Sequence, residues 1–172
     1  MDKGVLLIGG ITVAVLAIII GITSADPSAK YAGKEAVGEE VALLEAKHIP
    51  DGSPRPEYNS NPPTSGSHYI QPAPWGIKTE QIQDETLVHN LEHGGVWITY
   101  NPQTASQEIV DKLTEIARGY RSKVVLSPRV QNDSVIALAS WGKISKLDSV
   151  DEAKIQEFIG RNKNKGPEQV PD

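Results

Sequence analysis

The 172 residues of the chain allow one domain of ordinary size and a short additional segment. The chain contains no cysteine, which excludes disulfides, thiolate metal sites and thiol redox chemistry. Its formal net charge is −5, and its lysine and arginine residues are scattered without a basic patch, which argues against nucleic acid as a partner. The domain therefore has to be stable through its own core.

Residues 5–23 form an apolar run without any charged residue. A run of about 20 apolar residues, rising about 1.5 Å each as a helix, crosses the hydrocarbon core of a bilayer. We therefore predict a transmembrane anchor over residues 5–23 that contacts the lipid bilayer, with residues 1–4 in the cytoplasm. The long polar part of the chain would lie on the extracytoplasmic side of the cytoplasmic membrane. A cleavable signal peptide is the alternative, because Thr23, Ser24 and Ala25 provide small residues at a plausible cleavage site.

The remainder of the chain divides into three parts by composition. Residues 24–38 are rich in small and polar residues and are predicted to form a tether, and residues 39–165 the extracytoplasmic domain. Residues 166–172 are predicted to be a flexible tail. Within the domain, residues 49–76 are rich in proline, glycine, asparagine and serine, but they also carry several aromatic rings. Linkers seldom contain so many rings, so we predict an ordered loop layer over these residues.

The first regular elements are predicted after this loop layer. Asp84 is placed to cap a helix that runs through His93, and Gly94 follows at the position where a left-handed residue often ends a helix. Residues 95–100 are rich in β-branched and aromatic residues and predict a strand.

The second half of the domain shows both helical and strand patterns. Capping boxes at Thr104–Gln107 and Ser149–Glu152 predict two further helices, and residues 124–126 and 135–141 predict two strands joined by a short turn. The order strand, helix, strand, strand, helix favours a parallel first pair and an antiparallel second pair. The fold class predicted is therefore α+β, with helices on a small mixed sheet.

All four histidines lie between His48 and His93. His89 and His93 stand four residues apart on the predicted helix, which puts both rings on one face and within reach of one ion. The apolar residues of this helix lie on another side, so the two rings are expected to face the loop layer that carries His68 and His48.

These residues predict a metal site. We expect His89 and His93 to be the core ligands, His68 the third, and His48 or a carboxylate the fourth. Nitrogen and oxygen donors without sulfur suit Zn²⁺ or Cu²⁺. Glu92 and Glu85, on the same helix, are possible ligands or acceptors for an imidazole N–H.

Two other functions are compatible with the same residues. The loop layer from Tyr58 to Trp75 could dock another envelope membrane protein, with the histidines only supporting it. The run His89-Asn90-Leu91-Glu92-His93 also has the letters of the H-x-x-E-H motif of inverzincin metallopeptidases, in which the glutamate acts as a base. A zinc-dependent hydrolase or peptidase is therefore a lesser alternative. A helical histidine pair is also common as a solvated or hydrogen-bonded face without metal.

Three stretches of the chain resemble a known family. They are Tyr58–Gly66 with His68, Leu87–Gly94, and more loosely Ala137–Gly142. Together they resemble the domain of unknown function 3105 family of membrane-anchored bacterial and archaeal proteins, over about residues 45–165.

What the resemblance implies is an exported, anchored domain with shared histidine motifs, to which the position of His48 also belongs. Ser67 stands where that family often has proline, which affects only the local shape of the loop. The resemblance implies no activity. The function expected from the sequence is a membrane-anchored extracytoplasmic metal-binding domain.

Overall fold

The structure, a computed structural model, describes residues 26–168, 170 and 171. The predicted anchor over residues 5–23 and the N-terminal residues 1–4 lie outside this range. No helix formed by the described residues is long and apolar enough to cross a membrane.

Eight strands and three α-helices make up the described part of the chain. The strands are β1 (Glu39–Glu40), β2 (His48–Ile49), β3 (His68–Tyr69), β4 (Gly76–Ile77), β5 (Val96–Tyr100), β6 (Val124–Pro128), β7 (Ile136–Ser140) and β8 (Lys143–Leu147). The helices are α1 (Asp84–Glu92), α2 (Gln107–Arg118) and α3 (Glu152–Asn162). Six strands form one mixed sheet in the order β1-β8-β7-β5-β6-β4, and β2 pairs with β3. The predicted mixed α+β class is therefore confirmed.

Alternating side chains of the central strand β5 serve two separate cores. Val96, Ile98 and Tyr100 belong to a cluster with buried residues of α2 and α3. Trp97 points to the opposite face, into a second cluster with Leu87 of α1. Successive side chains of a strand point to opposite faces, so β5 separates helices α2 and α3 from helix α1. Helix α1, which contains His89, packs on this second face.

The parallel pairing of β5 with β6 is confirmed, with Ile98 opposite Leu126. The predicted pairing of β6 with β7 is wrong, because β7 lies antiparallel beside β5, on the side away from β6. The reason is that the connection crosses the end of β5: Arg129 N–H donates to the Tyr100 carbonyl, and Asn101 N–H donates to the Val135 carbonyl. The free edge of β6 pairs with β4 instead.

The predicted helix caps are displaced by one or two residues. Ser106 and Asp151, rather than Thr104 and Ser149, accept hydrogen bonds from the first turns of α2 and α3. For α1 the N-cap position is held by Gln83, and Asp84 is the first helical residue. The carboxylate of Asp84 accepts hydrogen bonds from Arg55 and Arg129.

The described part of the predicted tether contacts the domain. Residues Pro27–Tyr31 form a 3-10 helix, and the Tyr31 ring lies so close to α3 that Gly160 has no room for a side chain. The Lys163 ammonium donates to the Asp26 carboxylate, and the Asn162 amide donates to the Val37 carbonyl. From Asp26 onward the segment therefore lies against α3.

A buried ion pair fastens helix α1 to the end of β6. Arg129 is 1% exposed and donates from Nε and Nη2 to the two carboxylate oxygens of Asp84, both over 2.8 Å. Its Nη1 donates to the side-chain oxygens of Asn61 and Asn132. One guanidinium thus connects the loop layer, the start of α1 and the turn after β6. The buried guanidinium has hydrogen-bond acceptors for all of these N–H groups only when all of its partners are present.

We expect Asp84→Asn to lower the free energy of unfolding by about 3–5 kcal/mol, because it leaves the buried Arg129 charge without its counter-ion. Asp133→Asn is the matched control, since Asp133 pairs with Lys146 at the surface and such pairs contribute about 0.2–1 kcal/mol. Urea unfolding of both variants measures the difference. Equal losses in the two variants would show that the Asp84–Arg129 pair does not hold α1.

Candidate metal centre

Helix α1 presents its polar side chains to the loop layer because its apolar side chains are buried against the sheet. Leu87 and Leu91 are fully buried in the cluster that contains Trp97. The Asn90 amide holds the loop layer from the helix side: its Nδ2 donates to the Ala73 carbonyl over 2.8 Å, and its Oδ1 accepts from the Ala73 N–H over 2.9 Å. The helix and the loop layer are therefore fixed to each other at the level of His89.

The loop before His68 is itself buried and hydrogen-bonded. Residues 62–66 are buried. The Tyr58 hydroxyl donates to the Ser67 carbonyl over 2.8 Å, and the Ser65 hydroxyl accepts from the Leu44 N–H over 3.0 Å. These contacts give His68 a fixed backbone on which to approach the helix.

The small sheet of β2 and β3 brings His48 beside His68. The strands are parallel, and the two histidines are directly paired in register. Paired residues in a sheet project their side chains on the same face, so the rings meet with centroids 4.8 Å apart. The His89 ring completes the group, 4.9 Å from His48 and 5.0 Å from His68.

Backbone carbonyls set the orientation of two of these rings. His68 Nδ1 lies 2.8 Å from the Gly66 carbonyl oxygen, and His89 Nδ1 lies 2.7 Å from the Tyr69 carbonyl oxygen. A carbonyl oxygen only accepts, so both Nδ1 atoms carry the proton, and in the neutral rings Nε2 presents its lone pair. A carbonyl behind the ring is the arrangement that directs Nε2 of a metal-ligating histidine.

The lone pair of His68 faces a buried carboxylate. His68 Nε2 lies 2.9 Å from Glu92 Oε2, their side chains are 1% and 6% exposed, and neither atom has a hydrogen-bond partner among the described residues. Two buried acceptors at this distance repel each other unless a positive charge lies between them. His48 Nε2 also approaches Glu92 Oε2, at 3.7 Å. The site therefore favours a cation.

His93 contacts the cluster from its outer side. His89 Nε2 lies 3.0 Å from His93 Nε2, which in turn lies 3.1 Å from Glu168 Oε2. The side chain of Glu168 is 49% exposed, so this arm of the cluster reaches the solvent.

Two overlapping groups of metal-ligating atoms result. Within each group the ligand atoms lie within 4.8 Å of one another. The first group consists of His48, His68, His89 and Glu92. The second consists of His89, His93 and Glu168. Glu85 belongs to neither group of the described residues, although its side chain is buried. Glu168 is the residue that the sequence did not suggest, since it lies in the predicted flexible tail.

Burial lowers the pKa of His89. The hydrogen bond to the Tyr69 carbonyl acts in the opposite direction, and the neighbouring rings of His93, His68 and His48 lower the pKa further. The imidazole of His89 is therefore neutral at pH 7, as a metal ligand has to be.

The comparisons with known proteins give a family and no activity. A family model described as a protein of unknown function (DUF3105) matches residues 51–172. The matched range begins just after His48 and contains the other residues of the two groups, from His68 to Glu168. No curated protein and no solved structure matches the chain.

The turn after α1 places His93 and the C-terminal segment. Gly94 has φ +78°, and the N–H groups of Gly94 and Gly95 donate to the Leu91 and Asn90 carbonyls, which is the Schellman arrangement. A Cβ at Gly94 would lie 2.9 Å from Cα of Asn164. This close approach brings the chain beyond α3 to the end of α1.

We expect Gly94→Ala to be more destabilising than Gly52→Ala. Both residues have a left-handed backbone, φ +78° and +80°, which costs about 1–2 kcal/mol for alanine, but a Cβ at Gly52 meets nothing within 4 Å. The clash with Asn164 should add at least about 1 kcal/mol for Gly94→Ala. Urea unfolding of the two variants measures this difference, and equal losses would contradict the close packing at Gly94.

Proposed function

The chain belongs to the DUF3105 family of proteins of unknown function, and we propose that it is a membrane-anchored, extracytoplasmic domain that binds one Zn²⁺ or Cu²⁺ ion. The proposal rests on one observation above all. Two buried acceptors, Nε2 of His68 and Oε2 of Glu92, face each other at 2.9 Å without a hydrogen-bond partner in the described part of the chain. A bound cation would remove their repulsion and compensate the buried charge of Glu92.

A metal ion satisfies more of this site than a proton does. A second proton on His68 would link only His68 and Glu92. The group of four also contains His48 and His89, and its ligand atoms lie within 4.8 Å of one another. The edge of a tetrahedral site with metal–ligand bonds of about 2.05 Å is about 3.3 Å, so small side-chain rotations would close the group around one ion.

The donor set determines which ion is proposed. Three imidazole nitrogens and one carboxylate oxygen suit Zn²⁺ and Cu²⁺, whereas hard ions such as Mg²⁺ and Ca²⁺ prefer oxygen donors. The Trp141 and His68 rings are nearly perpendicular, with centroids 6.5 Å apart, and the Trp141 ring provides an apolar wall beside the site. Such a wall strengthens the attraction between the ion and its ligands.

The place of the domain in the cell is proposed from the sequence. Residues 5–23 carry no charge over a length that spans a bilayer, and the polar domain follows them. The proposed anchor would hold the metal site outside the cytoplasm, where it would meet metal ions from the environment.

We expect Zn²⁺ or Cu²⁺ to raise the unfolding temperature of the chelator-stripped, full-length chain, because an ion that binds only the folded state stabilises it. Glu92→Gln should weaken binding at least about 100-fold, since loss of even an outer partner of a ligand costs about 10–100-fold. Glu85→Gln is the matched control: Glu85 is a buried glutamate of the same helix that lies outside both groups, and its replacement should leave the metal affinity unchanged.

Two results would contradict this prediction. If neither ion changes the unfolding temperature of the wild type, the chain does not bind these metals, and a protein-interaction module becomes the favoured function. If Glu85→Gln and Glu92→Gln weaken binding equally, the ion does not occupy the group of four.

The proposed topology is tested with protease. In intact cells, protease added outside should degrade the domain, and a cytoplasmic protein should survive as the control for cell integrity. Protection of the domain until the cells are lysed would mean that it faces the cytoplasm.

A further inference from the structure

His89 is common to both groups of ligand atoms. Its ring is held by the hydrogen bond from Nδ1 to the Tyr69 carbonyl, so only Nε2 is available to an ion. This atom lies 3.0 Å from His93 Nε2, and His89 also belongs to the group with His48, His68 and Glu92. A pyridine-type nitrogen has a single lone pair in the ring plane, so His89 binds one ion at a time. The two groups are therefore alternative positions for the same ion.

The two positions differ in their contact with solvent. The side chains of His68 and Glu92 are 1% and 6% exposed, whereas those of His93 and Glu168 are 17% and 49% exposed. His48 is 47% exposed, but the other three members of its group are buried. The pair His93 and Glu168 thus adds ligands only on the solvent side of His89.

Glu168 is held in place by its backbone. Its N–H donates to the Glu92 carbonyl over 3.1 Å. Two residues earlier, Gly166 packs so closely on the same carbonyl that a Cβ there would overlap it. The segment 166–168 therefore rests on the end of α1 and delivers a carboxylate to His93.

We propose that His93 and Glu168 form a transfer station through which a Zn²⁺ or Cu²⁺ ion enters and leaves the buried group. This inference rests on the proposed metal-binding function. The ion is first held by His93, Glu168 and His89. Its bonds to His93 and Glu168 then break as bonds to His68, Glu92 and His48 form, while the bond to His89 is kept. The ion is not stripped of all protein ligands at any point, which avoids the cost of a bare divalent cation in a desolvated site.

This role has a distinctive kinetic consequence. The station lies on the path of the ion but is empty in the final state. Removing one of its ligands therefore changes the rate constants of binding and release by the same factor. The equilibrium constant, which is the ratio of the two rates, then stays the same. A resting ligand behaves differently, because its loss mainly accelerates release.

The experiment uses the full-length chain, stopped-flow mixing with Zn²⁺ to measure binding, and mixing of the loaded chain with a chromophoric chelator to measure release. Glu168→Gln should lower both rates at least about tenfold and change Kd by less than about threefold. His93→Gln, which removes the other ligand of the station, should give the same pattern. Glu157→Gln is the matched control for charge: it removes one surface carboxylate that pairs with Arg161 on α3, and both rates should stay at the wild-type values.

Any of the following outcomes would overturn the proposed transfer station. If Kd weakens at least about tenfold with an unchanged binding rate, Glu168 is a resting ligand. If neither rate changes in Glu168→Gln and His93→Gln, the ion takes another path. If Glu157→Gln slows binding as much as Glu168→Gln, the effect is general attraction of the cation. A wild type that binds neither Zn²⁺ nor Cu²⁺ overturns the proposed function itself, which distinguishes that failure from the others.

Discussion

The buried pairing of Arg129 with Asp84 is the interaction on which the position of α1 depends. A guanidinium that is 1% exposed is tolerable only with its carboxylate and amide partners in place, so the sequence around Asn61, Asp84 and Asn132 has to converge on it. These partners come from three segments far apart in the chain. Their convergence orients the first turn of α1, and His89 and Glu92 of the candidate site lie on its last turn. In this cysteine-free domain the charge network thus adds to the packing of Leu87 and Leu91 against Trp97 in holding α1.

The site itself depends on the backbone as much as on its side chains. Carbonyls of Gly66 and Tyr69 orient the rings of His68 and His89. Gly66 lies in the loop before the two-residue strand β3, and Tyr69 is the last residue of that strand. Carbonyls in regular sheet interiors are used by neighbouring strands, whereas those at strand ends remain available to side chains. The irregular loop layer is therefore the kind of structure that can supply two such acceptors within four residues. The proline and glycine residues of the loop layer allow its backbone to adopt this irregular path.

Some of this arrangement could be predicted from the sequence and some could not. Helical periodicity and β-branched runs located the α-helices and the strands β5, β6 and β7, because these signals act over several residues. Caps such as Ser106 were misplaced because two suitable residues lie within one turn, and the tertiary path selects between them. The clustering of histidines predicted His89 and His93 as the core ligands, with His68 third and His48 or a carboxylate fourth. In the structure His48, His68, His89 and Glu92 form one group, and His93 lies with His89 and Glu168 in the second. The role of Glu168 was not predictable, since a charged residue in a proline-containing tail has no local pattern that reveals a contact 75 residues away.

The strands β2 and β3 contribute only two register pairs, His48 with His68 and Ile49 with Tyr69. So small a sheet is not stable by itself and depends on its packing against the surrounding loop. Local opening of the β2 side therefore requires far less free energy than unfolding of the six-stranded sheet. Lys47 and His48 on the β2 side are exposed, whereas His68 and Tyr69 of the paired strand are buried. His48 is consequently the member of the group of four on the more easily opened side, while His68, His89 and Glu92 are buried.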